Sequence, residues 1–127
     1  MKLAMAQMRM GTSVDENLTQ TLRFMERAGS AGADLIFFPE VQLSPFFPQY
    51  EKADAERWAM SADGPEITAI RDACRKFRIY ASPNVYLKQG EKRYDASLMI
   101  GLCQVKHKRY IYGILKWIFT KYSTKSE

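Results

Sequence analysis

The chain has 127 residues, 46% of them hydrophobic, and this length allows one globular domain at most. One histidine, two scattered cysteines and no glycine-rich phosphate loop exclude the familiar metal-site and nucleotide-binding patterns. Gln7 and Arg9 interrupt the N-terminal apolar stretch, so we expect no signal peptide, and unpaired cysteines fit a reducing cytoplasmic setting.

The N-terminal segment predicts a strand followed by a capped helix. Residues 2–10 alternate in the manner of a short strand with at least one apolar face. Gly11 and Thr12 end this strand, and the spacing of Ser13 and Glu16 is that of a capping box. The helix that follows has an apolar stripe and ends within residues 29–32; the stripe consists of Val14, Leu18, Leu22 and Met25.

Residues 34–40 place a carboxylate where a buried strand ends. Four consecutive apolar residues, 35–38, predict a strand covered on both faces, as in a layered α/β fold. Pro39 has no backbone N–H and stops the ladder, which leaves Glu40 at the rim, where open α/β sheets place ligands. A carboxyl group beside apolar surface should have a raised pKa, which suits a general base. The alternative is that Glu40 is simply the first solvated residue after the strand.

A loop-rich excursion over residues 41–63 separates this strand from a second helix. Its aromatic residues Phe46, Phe47 and Tyr50 either line a substrate mouth or pack the loop. Pro65 suits the first turn of the helix. The helix has an apolar stripe of its own, formed by Ile67, Ile70, Cys74 and Phe77.

The last patterned segment predicts a β-hairpin. Residues 79–87 and 92–100 both alternate, and Gln89 and Gly90 lie in the turn between them. The resulting β-α-β-α-β-β order predicts helices packed on one face of a mixed sheet.

Five motifs in order resemble the N-terminal half of a carbon–nitrogen hydrolase of the nitrilase superfamily. They are the Ala6-Gln7 pair, the capped helix, the Phe38-Pro39-Glu40 strand end, the Gly64-Pro65 helix start and the strand at residues 94–100. The resemblance covers residues 1 to about 100. It implies an α/β fold that is the N-terminal half of a four-layer αββα sandwich.

The same resemblance implies an activity. Such enzymes hydrolyse non-peptide C–N bonds of small amides, nitriles or N-carbamoyl compounds through a Glu-Lys-Cys triad and need no cofactor. Glu40 takes the glutamate role in this resemblance. We also expect a homo-oligomer, because half of the domain leaves one face of its sheet without partners.

Beyond Ile100 the chain departs from the family pattern. Lys108 is the candidate oxyanion lysine, although Tyr110 stands where the family has histidine, and a solvated lysine in a basic run is the alternative. Cys74 lies on an apolar helix stripe, which is typical of a core residue. Cys103 precedes the candidate lysine, whereas the family's nucleophile follows it. No cysteine is therefore assigned as nucleophile, and we expect the chain alone to be inactive.

The distribution of charge also changes close to the point where the chain departs from the family pattern. Residues 1–103 have 13 basic and 13 acidic side chains, so the whole net charge of +5 lies in residues 104–127. We assign residues 1–103 to a partial carbon–nitrogen hydrolase domain and residues 104–127 to a divergent basic, aromatic-rich tail. A truncated gene, a frameshift or a pseudogene product would account for this break.

The tail also supports an alternative function. The chain could be a non-catalytic interaction module, either a pseudoenzyme subunit or a basic surface that binds anionic membrane or nucleic acid. We favour a tail that packs over the sheet, and we expect no specific nucleic-acid or membrane partner.

Overall fold

The computed structural model describes residues 1–49 and 54–102, which form an α/β fold with two helices and six strands. In chain order these are β1 (Leu3–Met5), α1 (Val14–Ser30), β2 (Leu35–Phe37), β3 (Met60–Ser61), α2 (Pro65–Phe77), β4 (Tyr80–Ser82), β5 (Asn84–Gln89) and β6 (Lys92–Ser97). Short 3-10 turns at Phe47–Gln49 and Glu56–Trp58 lie between β2 and β3. The predictions for Tyr50, Cys103, Lys108 and residues 104–127 concern positions outside the described residues.

Both helices begin where the sequence predicts. The Ser13 hydroxyl accepts a hydrogen bond from the Glu16 N–H at 3.2 Å and caps α1. The Glu16 carboxylate reaches back to the Thr12 N–H at 3.0 Å, one residue earlier than in a standard capping box. Gly64 is the N-cap of α2, and Pro65 is its first residue.

The first sheet is parallel and has the order β1-β2-β4. Ile36 of β2 lies between Ala4 and Ala81 on the face that packs against both helices, and Ile36 and Ala81 are buried. On the opposite face Leu3, Phe37 and Tyr80 are 52%, 36% and 45% exposed. The prediction that β2 is covered on both faces is therefore wrong for the described residues. Strand alternation turns Phe37 toward the side of the sheet opposite the helices, and no helix or strand of the described residues packs on that side.

The second sheet has the order β3-β5-β6, and the chain crosses into it from β4 of the first sheet at Pro83. The sequence predicts one strand over residues 79–87, but the structure divides it into β4 in the first sheet and β5 in the second. Pro83 has no N–H for a ladder, and its carbonyl accepts a hydrogen bond from the Leu98 N–H at 2.8 Å. The hairpin is confirmed, since β5 and β6 pair antiparallel around Gly90, whose φ is 60°.

The buried face of α1 differs from the predicted stripe. Its buried residues are Asn17, Thr21, Met25 and Ala28, whereas Val14, Leu18 and Leu22 are only half-buried. Polar contacts satisfy part of this face: the Thr21 hydroxyl accepts a hydrogen bond from the buried Gln42 side chain at 3.3 Å, and the Asn17 side-chain oxygen accepts one from the Gly11 N–H at 2.7 Å. No helix among the described residues is long and apolar enough to cross a membrane.

The two helices approach closely at Gly29. A Cβ atom built there would lie 3.0 Å from both the Cβ and the backbone oxygen of Phe77 on α2. A side chain at this position would therefore push the helices apart.

We predict that Gly29→Ala lowers the free energy of unfolding by about 1–3 kcal/mol, because overpacking at Phe77 outweighs alanine's better helix propensity. Denaturant titration measures the change. Ser30→Ala, at the exposed neighbouring position, is the control and should be nearly neutral. A Gly29→Ala protein as stable as wild type would contradict this packing.

Candidate active site

Glu40 lies at the edge of the first sheet where the parallel strands end. Strands β1, β2 and β4 run in one direction, so their carboxyl ends share this edge. The Phe38 N–H still donates to the Ser82 carbonyl at 3.3 Å, and Pro39 then ends the ladder. Glu40 begins the turn that follows, and we call residues 40–44 the Glu40 turn.

Val41 gives the Glu40 turn an unusual backbone. Its φ of 42° lies in the left-handed region, which β-branched residues rarely adopt. Its N–H donates to the side-chain carbonyl oxygen of Asn84 at 2.6 Å. Its own carbonyl accepts hydrogen bonds from the Ser44 N–H at 3.1 Å and the Ser44 hydroxyl at 3.2 Å. Buried hydrogen bonds therefore hold a strained conformation next to Glu40.

Gln42 ties the same turn to two other elements. Its side-chain amide nitrogen donates to the Thr21 hydroxyl on α1 at 3.3 Å, and its amide oxygen accepts from the Asn84 N–H at 3.1 Å. The Gln42 N–H donates to the Asn84 carbonyl at 3.2 Å. Since Thr21, Gln42 and Asn84 are all buried, this network fixes the Glu40 turn between α1 and β5.

The second sheet brings Asp95 to Glu40. In the β5–β6 register Tyr86 lies opposite Asp95, and Asn84 lies opposite Ser97. The Asp95 carboxylate is within hydrogen-bonding reach of the Glu40 carboxylate. Partial burial, then this hydrogen bond and repulsion by Asp95, raise the pKa of Glu40 above its usual range. Glu40 is nevertheless exposed as a residue, so water screens part of the repulsion.

One of the predicted aromatic residues lies near this pair. The Phe47 ring meets the Tyr86 ring edge-on, with centroids 5.5 Å apart and an angle of 66° between the ring planes. Phe47 therefore contacts the hairpin at the residue that pairs with Asp95. Phe46 is half-buried, and no ring contact is found for it; Tyr50 lies outside the described residues.

Two cations of the hairpin, Arg93 and Lys88, form ion pairs with Glu56. The Arg93 Nε donates to a Glu56 carboxylate oxygen at 2.7 Å, and the Lys88 Nζ lies 3.7 Å from the other oxygen. These ion pairs hold the Glu56–Trp58 turn against β5 and β6. Among the described residues no cation forms an ion pair with the Glu40 carboxylate, and its hydrogen-bond partner there is Asp95.

Cys74 is a core residue, as its place on an apolar stripe predicts. It is fully buried, its Sγ lies 3.8 Å from the Ile100 carbonyl oxygen, and burial raises its pKa to about 12. Such a thiol is protonated at neutral pH and is a poor nucleophile. The described residues contain no group of His, Cys, Asp and Glu side chains that could hold a metal ion.

A groove on the helical side is separate from this site. It lies between α1 and α2, has a volume of about 570 Å³, and has Leu22, Ala73 and Phe77 among its lining residues. Glu40 and Asp95 do not line it. We therefore assign it no part in the chemistry of Glu40.

Sequence reasoning missed Asp95, Tyr86 and Asn84 as neighbours of Glu40. Strand alternation does place Asp95 and Ser97 on one face of the hairpin, opposite Tyr86 and Asn84. What the pattern does not contain is the crossing at Pro83, which turns this face of the second sheet toward the Glu40 turn.

We predict that Glu40→Gln is stabilising at neutral pH. The raised pKa means that the folded chain holds the Glu40 proton more tightly than the unfolded chain. Wild-type stability should therefore fall as the pH rises from the ordinary glutamate range through the raised folded-state pKa. Glu40→Gln lacks this loss, so it should match wild type below that range and exceed it by up to about 1 kcal/mol at pH 7, since Glu40 is exposed.

Denaturant titrations at several pH values measure this difference. Asp95→Asn should give a smaller gain, because it removes the repulsion of Glu40 but not the cost of its partial burial, and the double variant should gain less than the sum of the two since both changes relieve the same repulsion. Glu91→Gln, in the exposed hairpin turn, is the control for loss of one acid and should show no such pH dependence. A Glu40→Gln protein that is less stable than wild type at pH 7 would mean that the carboxylate makes a stabilising contact.

Comparison with known proteins supplies the family. The family model for carbon–nitrogen hydrolases matches residues 2–110. A nitrilase from Pseudomonas syringae pv. syringae is 34% identical, and the match covers 69% of this chain and 28% of that protein. Two solved structures are similar in fold: a carbon–nitrogen hydrolase from Helicobacter pylori and Nit3 from Saccharomyces cerevisiae, a member of branch 10 of the nitrilase superfamily.

The structural matches cover most of this chain but less than half of each relative. The Helicobacter protein has a TM-score of 0.71 at 13% identity, with 79% of this chain and 35% of that chain covered. Nit3 has a TM-score of 0.63 at 19% identity, with 80% of this chain and 40% of that chain covered. At these identities the structures show a shared fold, the αββα sandwich. This chain has part of that fold. Because the family model extends over most of the sequence, the chain belongs to the carbon–nitrogen hydrolase family.

Proposed function

We propose that this chain supplies the general base, Glu40, of a carbon–nitrogen hydrolase site. The observation that carries the proposal is the placement of Glu40 at the carboxyl edge of a parallel sheet, in a strained turn beside Asp95, with no described cation on its carboxylate. The substrates we propose for the complete site are small amides, nitriles or N-carbamoyl compounds. Hydrolysis of their non-peptide C–N bonds is the reaction implied by the family.

In this proposal Glu40 moves two protons. It first takes the proton of a cysteine thiol, and the thiolate attacks the carbonyl carbon of an amide. The amine leaves with that proton, and a thioester remains. Glu40 then takes a proton from water, which attacks the thioester, and the acid and the thiol are released. A raised pKa suits this exchange, because a general base works best when its pKa is near the working pH.

The other two groups of the triad lie outside the described residues or outside this chain. We propose Lys108 as the oxyanion lysine, and Phe47, together with Phe46 and Tyr50, as residues of the substrate mouth. Cys74 is unsuitable as nucleophile because it is buried and protonated. We therefore propose that these 127 residues do not turn over substrate by themselves.

The purified chain should release no ammonia above background from amides, nitriles or N-carbamoyl amines. The reason is that the part of the chain that the structure describes places no thiol to attack a substrate held against Glu40. An ammonia-release assay on each of the three substrate classes is the measurement. Turnover that Cys103→Ala abolishes in a folded protein would show that Cys103 is the nucleophile and would contradict the proposal.

A chimera tests Glu40 directly. We predict that residues 1–102, in place of the matching segment of the Pseudomonas nitrilase, give a folded protein that hydrolyses nitriles. Glu40→Gln in this chimera should lower kcat by roughly 10²–10⁴-fold, the usual effect of losing a general base, without lowering the melting temperature.

The matched control in the chimera is Glu91→Gln, which removes an exposed acid of the hairpin turn and should leave kcat unchanged. A Glu40→Gln chimera that keeps its activity would exclude Glu40 as the base.

The second candidate function is a non-catalytic subunit, and the exposed face of the first sheet favours it. Leu3, Met5, Phe37 and Tyr80 are large apolar residues that the described part of the chain leaves exposed. A face of this kind is typical of an interface. Self-association through it would account for an oligomer, and a chimera with no activity despite a native fold would favour this reading.

A further inference from the structure

We propose that Asn84 is a positioning residue for Glu40: its side-chain carbonyl holds the Val41 N–H and so fixes the position of the Glu40 carboxylate relative to the second sheet. The inference rests on the proposed role of Glu40 as the general base. It assigns to β5 a function that is separate from its place in the hairpin.

The conformation of Val41 requires such a partner. A β-branched residue with a φ of 42° is strained, and strain of this kind persists only where the surrounding contacts determine the backbone. The Val41 N–H is buried and donates to Asn84 Oδ1 at 2.6 Å, a short bond for its type. Without this acceptor the N–H would be left unpaired, and the turn would relax toward a more common conformation.

Asn84 is itself held firmly. It is 6% exposed, and its side-chain Nδ2 donates to the Ser97 hydroxyl at 3.1 Å. Its backbone N–H and carbonyl exchange hydrogen bonds with Gln42, at 3.1 Å to the Gln42 side chain and 3.2 Å from the Gln42 N–H. Because the amide donates on one side and accepts on the other, its orientation is determined by both partners.

The hydrogen bonds of the Asn84 side chain, to the Val41 N–H and to the Ser97 hydroxyl, connect the Glu40 turn to the strand of Asp95; we call them the Asn84 clamp. Ser97, which receives the Asn84 side chain, is two residues from Asp95 on β6, so both side chains lie on the same face of the hairpin. Asn84 therefore joins the backbone next to Glu40 to the strand that presents Asp95. Asp95 is the charged group that the described residues bring against Glu40, and its approach depends on this connection.

The test measures two properties of the 127-residue chain by NMR: amide exchange at Val41 and carboxyl titration of Glu40. In Asn84→Ala the Val41 amide should exchange roughly tenfold faster, because its hydrogen bond is lost. The pKa of Glu40 should fall toward its usual range, since a relaxed turn moves the carboxyl group away from Asp95 and into water.

Ser44→Ala is the matched control. It also removes a buried hydrogen bond from the Glu40 turn, but this bond ends on the Val41 carbonyl and not on the Val41 N–H. The Val41 amide should remain protected, and the pKa of Glu40 should remain raised. If Ser44→Ala and Asn84→Ala lower the pKa of Glu40 equally, the effect is general loosening of the turn and the proposal is wrong.

Asn84→Asp decides the matter if Asn84→Ala fails to fold. Aspartate keeps an acceptor for the Val41 N–H and can accept from the Ser97 hydroxyl, so protection at Val41 should return and the added charge should raise the pKa of Glu40 further. A folded Asn84→Asp protein with an unprotected Val41 amide overturns the proposal, as does an Asn84→Ala protein with neither property changed. Neither readout requires turnover, so failure of the clamp and failure of the hydrolase proposal are separate results.

Discussion

The hydrogen bond from the Val41 N–H to the Asn84 side chain is the contact on which the candidate site depends. It holds a β-branched residue at a φ of 42°, immediately after Glu40, in a buried setting where an unpaired N–H would be costly. The Gln42 side chain extends the same network to Thr21 on α1. A polar chain thus runs from the first helix, through the Glu40 turn, to the second sheet. Loss of any one member would leave a buried group unpaired, so the network favours a single conformation of the Glu40 turn.

The two sheets contribute differently to function. The first sheet supplies Glu40 at the carboxyl edge of its parallel strands, and the second supplies Asp95 on β6. Partial burial of Glu40, and then the nearby Asp95 carboxylate with no described cation beside it, raise the pKa of Glu40 and so favour its protonated form. This property suits the role proposed for Glu40, in which it takes a proton from a thiol and later from water. The described residues leave an apolar face of the first sheet exposed, and the match covers 28% of the nitrilase.

Local signals in the sequence were sufficient for the helix starts, the hairpin and the position of Glu40 at a strand end. Ser13 and Pro65 act on their own helix, and Pro39 acts on its own strand, so each can be interpreted without knowledge of the fold. The crossing at Pro83 and the burial of Thr21 could not be predicted in this way. A polar residue is buried when another element supplies its partner, and the partner of Thr21 is Gln42, which is 21 residues away along the chain. Asp95 lies in a strand that the sequence does predict. Its contact with Glu40 could not be predicted, because it depends on the three-dimensional arrangement of the two sheets.

The most direct test of the account is the trans-hydrogen-bond scalar coupling between the Val41 amide nitrogen and the side-chain carbonyl carbon of Asn84 in the isotope-labelled chain. Such a coupling is transmitted only through a formed hydrogen bond, and a separation of 2.6 Å between the Val41 nitrogen and Asn84 Oδ1 favours its detection. We expect a measurable coupling together with slow exchange of the Val41 amide. A folded chain with no coupling and a freely exchanging Val41 amide would contradict the claim that Asn84 holds the Glu40 turn in place.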